Sequence, residues 1–326
     1  MRFLFSSASI IRMKILSYLS TYLFYALMID AVIMLLAPRW WVFHLFINFV
    51  PQFALAGLVV FTLLLLQKQF KKAVVLGIAL LFFSVPFVFQ VYASPPPVFS
   101  NSMKDEAEGI SIYHINVNRI NREYDRLIES IMTESPTIVT LNEMDSEWFA
   151  NTRDALDGLY PHVIDFSSDG YRGMVIFSKI PIQFFEQQNF SDMSPPVVRI
   201  AFAEPSFTLF TLHALSPISA VWASERDTLI QLLAQEIQDT PGTIVVAGDF
   251  NTTMHGSILR NFVKSTDLLD ARSGIGWEPS WMRGTILAVA LDHIFYRGNA
   301  FVGDFRVLDD VGSDHRPIVA DMYFPT

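Results

Sequence analysis

Two apolar patterns divide this chain. Up to about residue 93 apolar residues run almost without interruption. Beyond it they come in short strings broken by polar positions, at the periods of a half-buried strand or an amphipathic helix. In the first part, Ile15 to Leu36, Trp41 to Leu66 and Ala73 to Ala93 are 22, 26 and 21 residues long. At about 1.5 Å of rise per residue each reaches across a hydrocarbon core of roughly 30 Å, so residues 1–93 are predicted to form three transmembrane helices. A secretory signal is the rival reading, because Arg2, Arg12 and Lys14 precede an apolar run. Its apolar region is shorter and solitary, and three successive spans argue against it.

Residues 94–109 open on Ser94-Pro95-Pro96-Pro97 and read as a polar, Pro-rich linker, stiff because proline favours extended backbone. Residues 110–326 suffice for one large core. Ile110 to Val117 and Thr137 to Leu141 predict strands around a helix over Arg122 to Glu134, where Tyr124, Leu127, Ile128 and Ile131 recur at helical spacing. Further strands are predicted at Gly173 to Ser178, Val197 to Ala203, Phe207 to His213, Thr243 to Ala247, Ala288 to Tyr296 and Pro317 to Phe324, with a long helix over Ala220 to Gln238. Alternating strands and helices with some hairpin-length connections predict a mixed-sheet α/β domain.

Charge splits at the same boundary. Residues 1–94 hold seven Lys or Arg and one acid, Asp30, for a net +6, while the remainder holds 16 basic and 31 acidic residues, for −15. Basic residues flanking spans stay cytoplasmic. Arg2, Arg12, Lys14, Lys68, Lys71 and Lys72 fall on one side of the predicted spans and only Arg39 and Lys104 on the other. The N-terminus is therefore expected inside and the second domain outside the cytoplasm. The absence of cysteine suits an oxidising compartment without demonstrating one. An outer domain this acidic gains little from counterion release on a polyanion, although bound metal ions change the local sign.

Candidate chemistry sits at the ends of the predicted strands, in Leu141-Asn142-Glu143, Gly248-Asp249-Phe250-Asn251, Leu291-Asp292-His293 and Gly312-Ser313-Asp314-His315. Each island puts a carboxylate, amide or imidazole where a buried strand reaches the mouth of its sheet. A phosphodiester repels the water that must attack it. A hard divalent cation with oxygen ligands is the natural remedy, and Glu143 is the first candidate ligand. Asp249 and Asn251 alternate, which predicts side chains facing the same way across Phe250. The plainer alternative for them is an Asx turn. His315 offers an imidazole, a group whose ordinary pKa lies near neutrality, and a carboxylate partner would fix its tautomer.

With Asn116-Val117-Asn118, Gly173-Met174-Val175-Ile176-Phe177-Ser178-Lys179 and Leu212-His213-Ala214-Leu215-Ser216-Pro217, these islands resemble, from about Ile110 to Phe324, the endonuclease/exonuclease/phosphatase superfamily. The likeness is to its bacterial membrane-anchored branch. The resemblance implies a two-sheet α/β sandwich flanked by helices, preceded here by the three transmembrane helices, and a Mg²⁺ or Mn²⁺ cofactor. It implies metal contacts from Glu143, Asn118, where the family often has Asp, and Asp314. It further implies that Asp249 orients or deprotonates water, that Asn251 holds the phosphoryl group and that Asp292 partners His315. His213 would stabilise the transition state or protonate the leaving oxygen, and Asn116 would support Asp249 or a phosphate oxygen. Whether Asp249 or His315 is the base stays open.

Among the remaining candidates, His114, His162, His255 and His293 read as packing or surface residues, Arg172 and Arg199 as exposed or ion-paired, and Trp277 and Trp281 as pocket rim or packing. The expected function is a membrane-anchored, divalent-metal-dependent phosphoesterase outside the cytoplasm, meeting the lipid bilayer and a phosphoester substrate (phospholipid, nucleic acid or small phosphate ester), with no obligate protein partner. The alternatives are an extracytoplasmic nuclease and a non-catalytic receptor for phosphorylated ligands.

Overall fold

The computed structural model describes residues 7–37, 40–92 and 107–325. It divides into two compact units, Met1–Phe89 and Gln90–Thr326. The first is built from helices α1 (Ser7–Leu36), α2 (Trp41–Ile47), α3 (Val50–Leu66) and α4 (Phe70–Tyr92). Ile11–Leu36 and Phe70–Phe89 are long and apolar enough to cross a membrane, and α2 with α3, bent by 62°, makes a third span if the pair counts as one. The single helix expected from Trp41 to Leu66 is therefore broken. Pro51 lacks an N–H, and its ring would collide with the carbonyl of Ile47 four residues back. The helix stops at Ile47 and restarts at Val50, with Pro51 in a first turn that needs no donor there.

Phe24, Phe53, Leu64, Leu76 and Leu80 fill the centre of this unit, while Tyr18, Ile29, Leu55, Leu66, Ile78 and Leu81 face outward. A helix apolar all round suits hydrocarbon better than water. Gly57 lets α3 approach α4, since a Cβ there would collide with the Leu80 side chain, as small residues do between membrane helices.

The second unit runs β1 (Ala107–Asn116), α5 (Tyr124–Glu134), β2 (Ile138–Asn142), α6 (Ser146–Leu156), β3 (His162–Phe166), β4 (Met174–Ser178), β5 (Ile182–Gln188), β6 (Val197–Phe202), β7 (Phe207–His213), α7 (Ala220–Asp239), β8 (Ile244–Asp249), α8 (Ser257–Thr266), β9 (Leu269–Asp270), β10 (Asp292–Arg297), β11 (Phe301–Val307) and β12 (Ile318–Pro325). Of the expected linker, residues 94–106 lie outside the described residues. Ala107 to Gly109 belong instead to β1, because they pair with Pro325, Phe324 and Tyr323 of β12.

Two six-stranded sheets form, ordered β11-β12-β1-β2-β4-β3 and β5-β6-β7-β8-β10-β9. Each is mixed, with β1 parallel to β2 in one and β7 parallel to β8 in the other. Their inner faces share a core that includes Ile110, Ile112, Ile176, Ile200, Leu209, Val245 and Ile294. Each fully buried side chain of this kind is worth about 1.5–3 kcal/mol. The outer faces are covered by helices: α5 and α6 bring Leu127, Ile131, Trp148 and Leu156 to one sheet, and α7 and α8 bring Leu229, Leu233, Leu259 and Phe262 to the other. Asp145 caps α6 and Ser219 caps α7, each accepting from the backbone N–H three residues on. The result is the expected sandwich flanked by helices.

Candidate active site

Alternation along β1 turns Ile110, Ile112, His114 and Asn116 toward the inter-sheet layer, with the polar members at the strand's end. Register gathers the other groups at the same end. Asn116 lies beside Asn142, His213 beside Asp249, and Asp249 beside Asp292. The hub is Asp249 Oδ2, which accepts from Asn116 Nδ2 at 3.2 Å and Asn251 Nδ2 at 3.2 Å. It also lies 3.7 Å from His213 Nε2 and 3.7 Å from His315 Nε2.

Asp249 Oδ1 accepts the Asn251 N–H at 2.8 Å, and Asn251 has φ of 49°. The strand ends at Asp249, and an Asx turn rather than strand alternation brings Asn251 back to it. The Asn251 amide hydrogens are both used, one on Asp249 and one on the Ala214 carbonyl at 2.8 Å. It therefore holds Asp249 and has no hydrogen left for a phosphoryl oxygen. The fully buried Arg226 donates to the Asn251 carbonyl at 3.2 Å from behind.

His315 Nδ1 donates to Asp292 Oδ2 at 2.8 Å, which fixes the tautomer and turns Nε2 to Asp249. Burial alone would lower the His315 pKa, but Asp292 and then Asp249 outweigh it and push it up to about 10. Burial likewise would raise Asp292, yet the neighbouring imidazoles of His315 and His114 hold it well below the usual carboxylate range. Asp249 is pushed up, by burial first and by Asp292, against the pull of the two histidines beside it. His213 Nδ1 donates to the Tyr171 carbonyl at 2.9 Å. A carbonyl only accepts, so Nδ1 carries hydrogen and Nε2 faces the site.

Asn116 joins this cluster to a second one nearer the mouth. Its amide donates to Glu143 Oε1 at 3.1 Å, and its Oδ1 accepts the Asn118 N–H at 3.0 Å. Glu143 Oε2 accepts the Arg119 N–H at 3.1 Å. Asn118 Nδ2 donates to Asp314 Oδ1 at 2.9 Å, and Trp281 Nε1 donates to Asp314 Oδ2 at 2.9 Å. Asn118 and Glu143 both adopt left-handed backbone, with φ of 56° and 60°. For Glu this costs on the order of 1–3 kcal/mol, a strain concentrated at functional sites. Every site residue named from sequence thus falls into one connected network.

Two sets of groups offer themselves to a cation. Oxygens of Asp249 and Asp292 and a ring nitrogen of His315 lie within 4.8 Å of one another. However, Asp292 is fully buried and turns one oxygen to each of two imidazoles. Glu143, Asn118 and Asp314 lie on partly exposed turns; carboxylate and amide oxygens are what a hard divalent ion prefers, and here the Asn118 side chain gives its Nδ2 to Asp314 and its Oδ1 to the Ile120 N–H.

Sequence reasoning missed His114. It is fully buried, its Nε2 lies 3.5 Å from Asp292 Oδ1, and its Nδ1 meets Thr140 Oγ1 at 2.8 Å. Neither His114 Nε2 nor Asp292 Oδ1 has a hydrogen-bond partner elsewhere among the described residues, so each is the other's neighbour of necessity. The available signal was its place two residues before Asn116, on the same strand face. Elsewhere, His293 faces away and sits by Asp270 and the Thr252 carbonyl, Arg199 pairs with Glu186 and Glu236, and Arg172, neither fully exposed nor ion-paired among the described residues, donates to the Asp192 carbonyl.

Comparison with known proteins supports the same assignment. No curated protein matches the chain in sequence. Among solved structures, TDP2 of D. rerio in complex with a single-strand DNA product is 18% identical, with TM-score 0.56, over 66% of this chain and 99% of that one. A mannosyl-6-phosphatase of Bacteroides thetaiotaomicron is 17% identical, with TM-score 0.55, over 66% and 100%. An endonuclease/exonuclease/phosphatase family protein of the same organism is 16% identical, with TM-score 0.56, over 68% and 99%. At such identities the likeness is one of fold. The sequence model of the Endonuclease/Exonuclease/phosphatase family matches residues 114–315, more than half of the chain and all of the network around Asp249, and the chain belongs to that family.

Proposed function

We propose that the protein is a membrane-anchored, divalent-metal-dependent phosphoesterase whose catalytic unit lies outside the cytoplasm. The observation that carries the chemistry is the convergence of Asn116, Asn251, His213 and His315 on one carboxylate oxygen of Asp249. Asp249 is the base: its Oδ2 is held by two amides and accepts a proton from the attacking water. His315, kept cationic by Asp292, donates from Nε2 to the phosphoryl oxygens as their charge builds. His213, its Nδ1 hydrogen given to the Tyr171 carbonyl, turns Nε2 to the site and, when doubly protonated, stabilises the transition state or protonates the leaving oxygen from there. Asn116 and Asn251 position Asp249.

Glu143, Asn118 and Asp314 would hold Mg²⁺ or Mn²⁺, which supplies positive charge against the phosphoryl oxygens when bound. Family membership and the oxygen-bearing side chains of these three residues support that choice. The anchor is supported by the helices long enough to cross a membrane, and the outward orientation by the basic flanks of the spans. A net charge of −15 beyond residue 94 favours small or lipid phosphoesters over long polyanions.

The test is hydrolysis by the purified full chain of a panel that includes bis-aryl phosphate, phospholipid, sphingomyelin, DNA and RNA, with and without EDTA. Asp249→Ala and His315→Ala should each lose at least ~10²-fold in kcat with the fold intact by circular dichroism. Unchanged turnover in both refutes the assigned roles.

A further inference from the structure

The loops around the site carry apolar tips that no core accounts for. Ile120 is 75% exposed, Ile218 69% and Ile286 84%. Each belongs to a loop that starts or ends at a strand terminus supplying the site. Ile120 follows Asn116 of β1, Ile218 follows His213 of β7, and Ile286 precedes Asp292 of β10. Because those three termini meet around Asp249, the loops that carry the tips all leave the same end of the sandwich. Trp277 and Leu287, each 43% exposed, add to them. Beside Ile120, Arg119 is exposed, and its guanidinium has no hydrogen bond or ion pair among the described residues.

A single exposed aliphatic residue is ordinary, but several at one end of a fold, on the loops of a polar cleft, mark an interaction surface. The chain itself indicates what meets this one, since it carries helices long and apolar enough to cross a membrane. Tethering holds the second unit at high effective concentration beside a bilayer. Aliphatic tips with a neighbouring free arginine match the interfacial zone, apolar toward the acyl chains and cationic toward anionic headgroups.

We propose that the rim of the site is a membrane-docking surface: Ile120, Ile218 and Ile286 enter the bilayer interface and Arg119 meets the headgroups. The phosphoester taken into the cleft is then one presented by the bilayer. This rests on the membrane-anchored reading given above.

The chain has no cysteine, so a single introduced thiol reports its own position. The full chain is reconstituted in phosphatidylcholine–phosphatidylglycerol vesicles with brominated acyl chains. An environment-sensitive fluorophore is placed at Ile286→Cys or at Ser206→Cys, an exposed turn at the opposite end of β7 from His213. Emission at position 286 should be quenched at least about twofold more than at 206, as expected for a group entering the acyl boundary. Adding Ile120→Asp and Ile218→Asp should abolish that difference while leaving EDTA-sensitive hydrolysis of soluble bis-aryl phosphate unchanged. Equal quenching at the two positions overturns the docking surface. A chain that fails to float with the vesicles overturns the anchor, and docking with it. Absence of soluble-ester hydrolysis overturns the catalytic reading alone.

Discussion

Asp292 makes no contact with the mouth of the site, yet it decides the charge of the group that does. With His315 Nδ1 on one oxygen and His114 Nε2 facing the other, the carboxylate is held between two imidazoles. Thr140 in turn orients the outer ring. His114 is therefore a positioning residue acting through Asp292. His114→Ala is expected to lower kcat by about tenfold, the order seen when an outer partner of a functional group is removed, with KM unchanged. His114→Gln, which keeps a donor within reach of Asp292, should recover part of the loss. A fall in KM alone, or no rescue by Gln, would reduce His114 to packing. The same pair sets a pH dependence of stability. The His315 pKa rises from 6.5 to about 10 in the fold, so the stabilisation is fully present below 6.5 and is lost as pH climbs through 10. Melting temperature of the EDTA-treated protein should decline across that window, and His315→Ala should flatten the decline.

At the scale of elements, the site hangs on strand ends and the turns that follow them. These ends were legible because a buried strand of a mixed sheet is a short apolar run closing on a polar residue, as Leu141-Asn142 and Ala247-Gly248-Asp249 show. What was hidden is instructive. β5 exposes Phe184 and Phe185 at the sheet's edge, so its pattern alternates with neither period. β9 has only two residues. α6 carries three buried residues among polar ones and depends on its Asp145 cap. The turn conformations were hidden too, because the left-handed backbone of Glu143 follows from packing rather than from its residue type. Gly173 is part of that packing: a Cβ there would collide with the backbone of Met144, whose N–H donates to the Gly173 carbonyl at 3.2 Å. Gly173→Ala must push the backbone beside Glu143 aside. It should destabilise the fold by about 1–3 kcal/mol and raise the metal concentration needed for half-maximal activity. A loss of stability with an unchanged metal requirement would separate the glycine from the Glu143 turn.

For the whole molecule, the decisive quantity is the uneven placement of charge. Six Lys and Arg residues flank one side of the predicted spans and two the other, and net charge passes from +6 in residues 1–94 to −15 beyond. Short basic flanks resist translocation, whereas acidic residues contribute little to orientation. With the N-terminus in the cytoplasm, as proposed, an even number of crossings would return the chain there, so the break between α2 and α3 matters: the pair crosses as one bent span or turns back. Counted as one span it gives three crossings and places the second unit outside; counted as a re-entrant turn it gives two and places that unit inside. Alkaline phosphatase fused after Thr326 should be active and a cytoplasm-only fluorescent reporter dark, consistent with three crossings. The same reporters fused after Lys72 should reverse both signals, because Lys68, Lys71 and Lys72 then stay inside. If the fluorescent reporter lights at Thr326, α2 and α3 form a re-entrant turn and the substrate must be sought on the cytoplasmic leaflet.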